Sequence, residues 1–163
     1  MAVFEKLTRY LNQGLIFVGG VFLSAMVVLT CANIAARMAW IPIKGTFELM
    51  GFFGAVITAF ALGYTQVAKG HIAVDVLVDR FSDKNRKVTG IINCALCSVF
   101  FTIAAWQIAV KATTLWKTGE VTETLRIVYY PFTYAVAVGC GVLAIVLMVD
   151  LIKLLLPNKE GGI

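Results

Sequence analysis

The stretch GLIFVGGVFLSAMVVLTCANIAA, Gly14 to Ala36, runs for 23 residues without an Asp, Glu, Lys, Arg or His. At 1.5 Å rise per residue, an α-helix of that length crosses the roughly 30 Å hydrocarbon core of a bilayer. Three more uncharged apolar runs follow, Leu49 to Ala68, Val88 to Val110 and Ile127 to Val149, of 20, 23 and 23 residues. Backbone polar groups must be satisfied within the segment in lipid, and these uniform runs lack the ten-residue alternation of barrel strands. The fold class is therefore an all-α integral membrane protein with four transmembrane helices, at approximately 14–36, 49–68, 88–110 and 127–149. The longest stretch left over, Lys69 to Lys87, has 19 residues and is too short for a soluble core of its own. Residues 1–163 read as a single polytopic membrane domain.

Ionisable groups at membrane depth usually mark ion paths, proton relays or substrate sites. A chain whose four spans carry none is not expected to move ions or protons by itself. The first span follows Lys6 and Arg9 as a signal peptide would, but it is too long and ends at Arg37 without a small-x-small cleavage site, so it is read as a retained anchor. The net charge of +5 does not form a contiguous basic groove for nucleic acid. The positive residues flank the spans instead. With the N-terminus inside, nine Lys and Arg fall in cytoplasmic segments and five in outer loops, which places both termini in the cytoplasm. Trp40, Trp106, Trp116, Tyr129 and Tyr130 gather near the expected outer interface, where amphipathic rings sit well.

Cys31, Cys94, Cys97 and Cys140 are read as packing residues. Cys94 and Cys97 make a C-x-x-C, but a thiol in lipid is a poor thiolate and so a poor nucleophile or ligand. With His71 alone, no catalytic residue, cofactor site or metal site is expected. Gly51, Ala55, Ala59 and Gly63 repeat at i+4 in the second span and offer a smooth face that another helix can approach closely. The amides Asn33, Gln66, Asn93 and Gln107 lie toward span ends. Any of them could bridge helices, at about 0.6 to 2 kcal/mol each. Between the second and third spans, Val74, Leu77, Val78 and Phe81 fall at i, i+3, i+4, i+7. They predict a short amphipathic helix over about 72–83 lying in the cytoplasmic interface, with Asp75, Asp79 and Asp83 on another, solvated face. The β-branched run from Ile72 to Val76 would also suit an extended start.

Several short segments together carry a family resemblance. Lys44-Gly45-Thr46-Phe47-Glu48-Leu49-Met50-Gly51 opens the second span and Gly70-His71-Ile72-Ala73-Val74-Asp75-Val76-Leu77 follows it. Leu125-Arg126-Ile127 with Pro131-Phe132 opens the fourth, and Asp150-Leu151 closes it. In order and spacing the chain resembles the small membrane subunit, DctQ-like, of tripartite ATP-independent periplasmic (TRAP) transporters. The resemblance covers nearly the whole chain.

It implies a location in a bacterial or archaeal inner membrane and two protein partners besides membrane lipids. One is a large membrane subunit that carries sodium and substrate. The other is a periplasmic binding protein that delivers an organic acid. The small subunit would brace the large one, with an arm helix matching the amphipathic segment. With the chain ending at Ile163, association with the large subunit is expected to be non-covalent. On this reading Gly51, Ala55, Ala59, Gly63, Val74, Leu77, Val78 and Phe81 are candidates for partner packing. Arg37, Lys44, Lys117, Glu120, Glu123 and Arg126, in the outer loops, are candidates for docking the binding protein. Two other readings are weaker. A small multidrug-type exporter needs an embedded carboxylate, and the nearest, Glu48, sits at the edge of a span. A four-helix membrane enzyme needs polar groups converging at one interface, and the middle loop has no obvious set.

Overall fold

A computed structural model describes residues 2–67 and 83–155. Within them lie four α-helices: α1 Ala2–Met38, α2 Thr46–Val67, α3 Asp83–Thr118 and α4 Tyr130–Leu155. Each contains a segment apolar and long enough to cross a membrane. The interfacial helix expected over 72–83, with Val74, Leu77, Val78 and Phe81, lies outside the described residues except for Asp83, which begins α3. At 1.5 Å per residue α2 and α4 measure about 33 and 39 Å, close to the apolar thickness, whereas α1 and α3 reach about 55 Å. The two longer helices therefore tilt or extend past the hydrocarbon layer.

The helix ends follow from local chemistry. α1 closes in a Schellman motif: Trp40 N–H donates to Arg37 C=O at 3.1 Å and Ile41 N–H to Ala36 C=O at 3.0 Å. The left-handed position, usually glycine, is taken by Trp40 at φ 61°, and Pro42 follows. α3 closes on a glycine instead: Gly119, at φ 64°, donates to Leu115 C=O at 3.1 Å. The last helix begins at Tyr130, three residues beyond the start of the apolar run. Ile127 and Val128 belong to a tight hairpin in which Val121 pairs with Val128 and Thr122 N–H donates to Ile127 C=O at 2.9 Å. Pro131 sits in the first turn of α4, where its missing N–H costs nothing.

The helices lie side by side in the order α1, α2, α4, α3, and α1 also reaches α4. The core sits where α2 meets α4. Val56, Ala59 and Phe60 of α2 are buried against Phe132, Ala135 and Val136 of α4 and Leu15 and Phe22 of α1. Phe52 stacks on Phe132 with ring centroids 4.3 Å apart and planes 11° apart. The two backbones approach so closely that a Cβ on Gly139 would stand 2.6 Å from Ala59 C=O. A second cluster, Cys94, Leu143 and Leu147, joins α3 to α4. Close approach recurs between α1 and α2, where buried Asn12 lies directly against Gly63. Its amide donates to Thr8 C=O at 2.9 Å, while its Oδ1 has no hydrogen-bond partner among the described residues.

Candidate functional site

The loops at one end of the layer, 39–45 and 119–129, are locked together by contacts far apart in sequence. Glu48, in the first turn of α2, receives the Thr124 N–H at 2.8 Å and the Leu125 N–H at 3.1 Å, one on each carboxylate oxygen. These charge-assisted bonds satisfy two loop amides at once. The Leu125 side chain fills the space beside Gly45, where any Cβ would collide with it, and Gly45 itself needs its φ of 75°. Buried Thr122 accepts the Ile127 N–H at 3.1 Å and holds the hairpin closed. On the other loop, Asn33 Oδ1 accepts the Ile43 N–H at 3.0 Å, and Thr46 Oγ1 donates to Ile43 C=O at 2.8 Å. The result is a clamped platform built on the ends of all four helices.

Arg37, Lys44, Lys117, Glu120, Glu123 and Arg126 all belong to this end and all are exposed. Arg126 is fixed at φ 52° at the tip of the hairpin, so its backbone direction is set by the clamp. Among them stand the exposed rings of Trp40, Phe47 and Trp116. The platform offers no nucleophile paired with a base. It offers a surface of mixed charge and exposed aromatic rings held in place by the clamp.

The four small residues of α2 separate into two groups. Ala59 and Gly63 are buried inside the layer, whereas Gly51 and Ala55 are exposed. A strict i+4 repeat drifts by about 40° per step on a helix of 3.6 residues per turn, so it cannot stay on one face for three steps. The exposed face of α2 instead runs through Gly51, Ala55, Thr58 and Ala61, with half-buried Gly54 and Thr65 beside them. Thr58 Oγ1 donates to Gly54 C=O at 2.8 Å and Thr65 Oγ1 to Ala61 C=O at 2.9 Å, so both hydroxyl protons are used within the helix. This strip is smooth and internally satisfied.

The clamp role of Glu48 escapes sequence reasoning because its partners lie 76 and 77 positions away. The only signal was that its segment and Leu125 both stood among the residues carrying the family resemblance. Gly54, Thr58 and Ala61 were missed because small residues are ordinary in membrane helices until exposure sets them apart. Cys94 and Cys140 are buried, Cys97 is half-buried and Cys31 exposed, all as free thiols. Cys94 donates to Leu147 C=O at 3.3 Å and Cys97 to Asn93 Oδ1 at 3.6 Å, so the C-x-x-C pair is engaged in helix packing.

In comparison with known families, residues 26–156 match the family model described as tripartite ATP-independent periplasmic transporters, DctQ component. A comparison with curated proteins gave no match.

Proposed function

The chain belongs to the DctQ family of TRAP transporter components, and we propose that as the small membrane subunit it braces a large transporting subunit through the exposed face of α2. The observation that carries this reading is the strip Gly51, Ala55, Thr58 and Ala61, small and exposed for about three turns. Helices in lipid associate through close van der Waals packing, because lipid tails give no hydrophobic drive, and small residues let backbones meet. A face of this kind inside an otherwise bulky apolar surface suits a partner helix better than it suits acyl chains. The spans without charge fit the same division of labour, in which sodium and an organic acid pass through the large subunit. Arg37, Lys44, Lys117, Glu120, Glu123 and Arg126, presented on the clamped platform, dock the periplasmic binding protein. The clamp supports this role because a pre-ordered surface loses little conformational freedom on binding. Nine positive residues on the side of the termini against five on the loop side orient the platform outward across the inner membrane.

The test is co-expression with a large membrane subunit and a periplasmic binding protein of a TRAP system. The tagged wild type is expected to retain the large subunit, and the complex to drive sodium-dependent uptake in liposomes. Ala55→Leu and Ala61→Leu are expected to lose the large subunit while remaining helical. Uptake by this chain alone, or full retention of the large subunit by both variants, overturns the reading.

A further inference from the structure

At the end of the layer opposite the platform, α2, α3 and α4 line a half-open cavity of about 750 Å³. Its contents are graded along the helix axes. Gln66, Asn93, Asp150 and Lys153 line one end, while Phe101 and Leu143 line the other. From Asn93 to Phe101 and from Asp150 to Leu143 the rise is about 10 to 12 Å, so polarity falls away over most of the depth of one leaflet of about 15 Å. The Asp150 carboxylate is oriented by Gln66, whose Nε2 donates to Oδ2 at 3.1 Å. Lys153, one turn further along α4, lines the same end. Gly90 forms part of the wall, and a Cβ there would first meet Leu154 at 4.0 Å, so the absent side chain leaves the entrance open.

We propose that this cavity binds one membrane phospholipid with a zwitterionic, primary-ammonium headgroup, phosphatidylethanolamine in type. The ammonium lies on Asp150, and the first part of an acyl chain runs between Phe101 and Leu143. A cavity of this volume is within the ordinary range for bound small molecules. Its axis of decreasing polarity parallels the bilayer normal, so an acyl chain enters it in the orientation it already has in the membrane. Asp150 disfavours headgroups that carry negative charge alone. The proposal concerns this chain's own lipid site and stands whether or not the α2 strip receives a partner helix.

The test uses the full chain purified in mild detergent, stripped of lipid and titrated with phosphatidylethanolamine or phosphatidylglycerol, with bound lipid counted by native mass spectrometry. Wild type is expected to hold one phosphatidylethanolamine and to prefer it. Asp150→Asn is expected to lower that preference by about tenfold, the scale of one lost charge-assisted contact. Gly90→Leu, which fills the entrance, is expected to lower binding of both lipids, whereas Gly90→Ala binds as wild type does. Circular dichroism verifies that each variant remains helical. A wild type that retains no lipid, or prefers phosphatidylglycerol, overturns the proposal. So does a helical Gly90→Leu variant that binds phosphatidylethanolamine normally.

Discussion

Gly139→Ala tests whether the contact between α2 and α4 is as close as described. The added methyl would stand 2.6 Å from the Ala59 carbonyl oxygen, 2.7 Å from its carbonyl carbon and 2.8 Å from its Cβ. Ordinary contact begins near 3.4 Å, so the helices must part locally by about 0.8 Å. The obstructing atoms are mostly helical backbone, which cannot swing aside as a side-chain tip can. A gap of 0.5–1 Å forfeits about a quarter to a half of each dispersion contact across it. That loss falls on Val56, Phe60, Ala135 and Val136, which pack around the same point. Overpacking of this kind costs about 1 to 3 kcal/mol.

Alanine also has the higher helix propensity, by about 1 kcal/mol, and this opposes the loss. Gly141→Ala isolates that gain, because a Cβ there meets nothing within 4 Å. Unfolding of the two variants by titration with a denaturing detergent, followed by circular dichroism, is therefore expected to differ by about 1 to 3 kcal/mol, or roughly 5- to 150-fold in the folded-to-unfolded ratio. Equal stability of the two variants, or a more stable Gly139→Ala, would refute the close approach.

Glu48→Gln removes one of the two carboxylate acceptors and places an amide donor against the loop. Hydrogen exchange at the Thr124 and Leu125 amides is expected to speed up while exchange within α2 is unchanged; unaltered protection would show that the clamp is not what orders the hairpin. Ala59→Leu and Ala55→Leu should behave differently in the isolated chain. The first is expected to destabilise it by about 1 to 3 kcal/mol, and the second to stay within about 0.5 kcal/mol of wild type, as a surface change does. Matching unfolding curves for the two would place Ala55 and Ala59 on one face after all. Trp40→Gly relieves a left-handed position held by a side chain, and a gain of about 1 kcal/mol in the same unfolding assay is expected. A loss instead would mean that the exposed indole contributes more than its backbone costs.

Hydropathy made the four spans legible, since an uncharged run of 20 or more residues has few alternatives to a membrane helix. It was silent about how far each helix continues in polar sequence. α3 carries on from Val110 through Lys111, Thr113 and Lys117 to Thr118, with Thr113 Oγ1 donating to Ala109 C=O at 2.7 Å. Hydropathy also took Ile127 and Val128 for span residues, whereas pairing across the hairpin places them in a loop. The buried Asn12 fell just outside the first apolar run, yet its side chain packs directly against Gly63 of α2. The exposed loop charges were legible as candidates because charge at a span end must sit near water. The residues that hold that platform in shape were not, because Glu48 to Thr124 and Gly45 to Leu125 are contacts of the fold, with no local pattern to announce them.

The side-by-side order of the helices bears on how the chain is made. α1 with α2, and α3 with α4, are neighbours in sequence joined by the short connections 39–45 and 119–129, and each pair packs on itself. Each is a hairpin that can form as it enters the bilayer, the first before the second half of the chain has been synthesised. The contact of α2 with α4 is then the seam along which two finished halves meet. Glu48 reaches its loop partners only at that meeting, so the platform is completed last. An unsealed seam leaves a protein fully inserted, with every span in place and no assembled surface to offer.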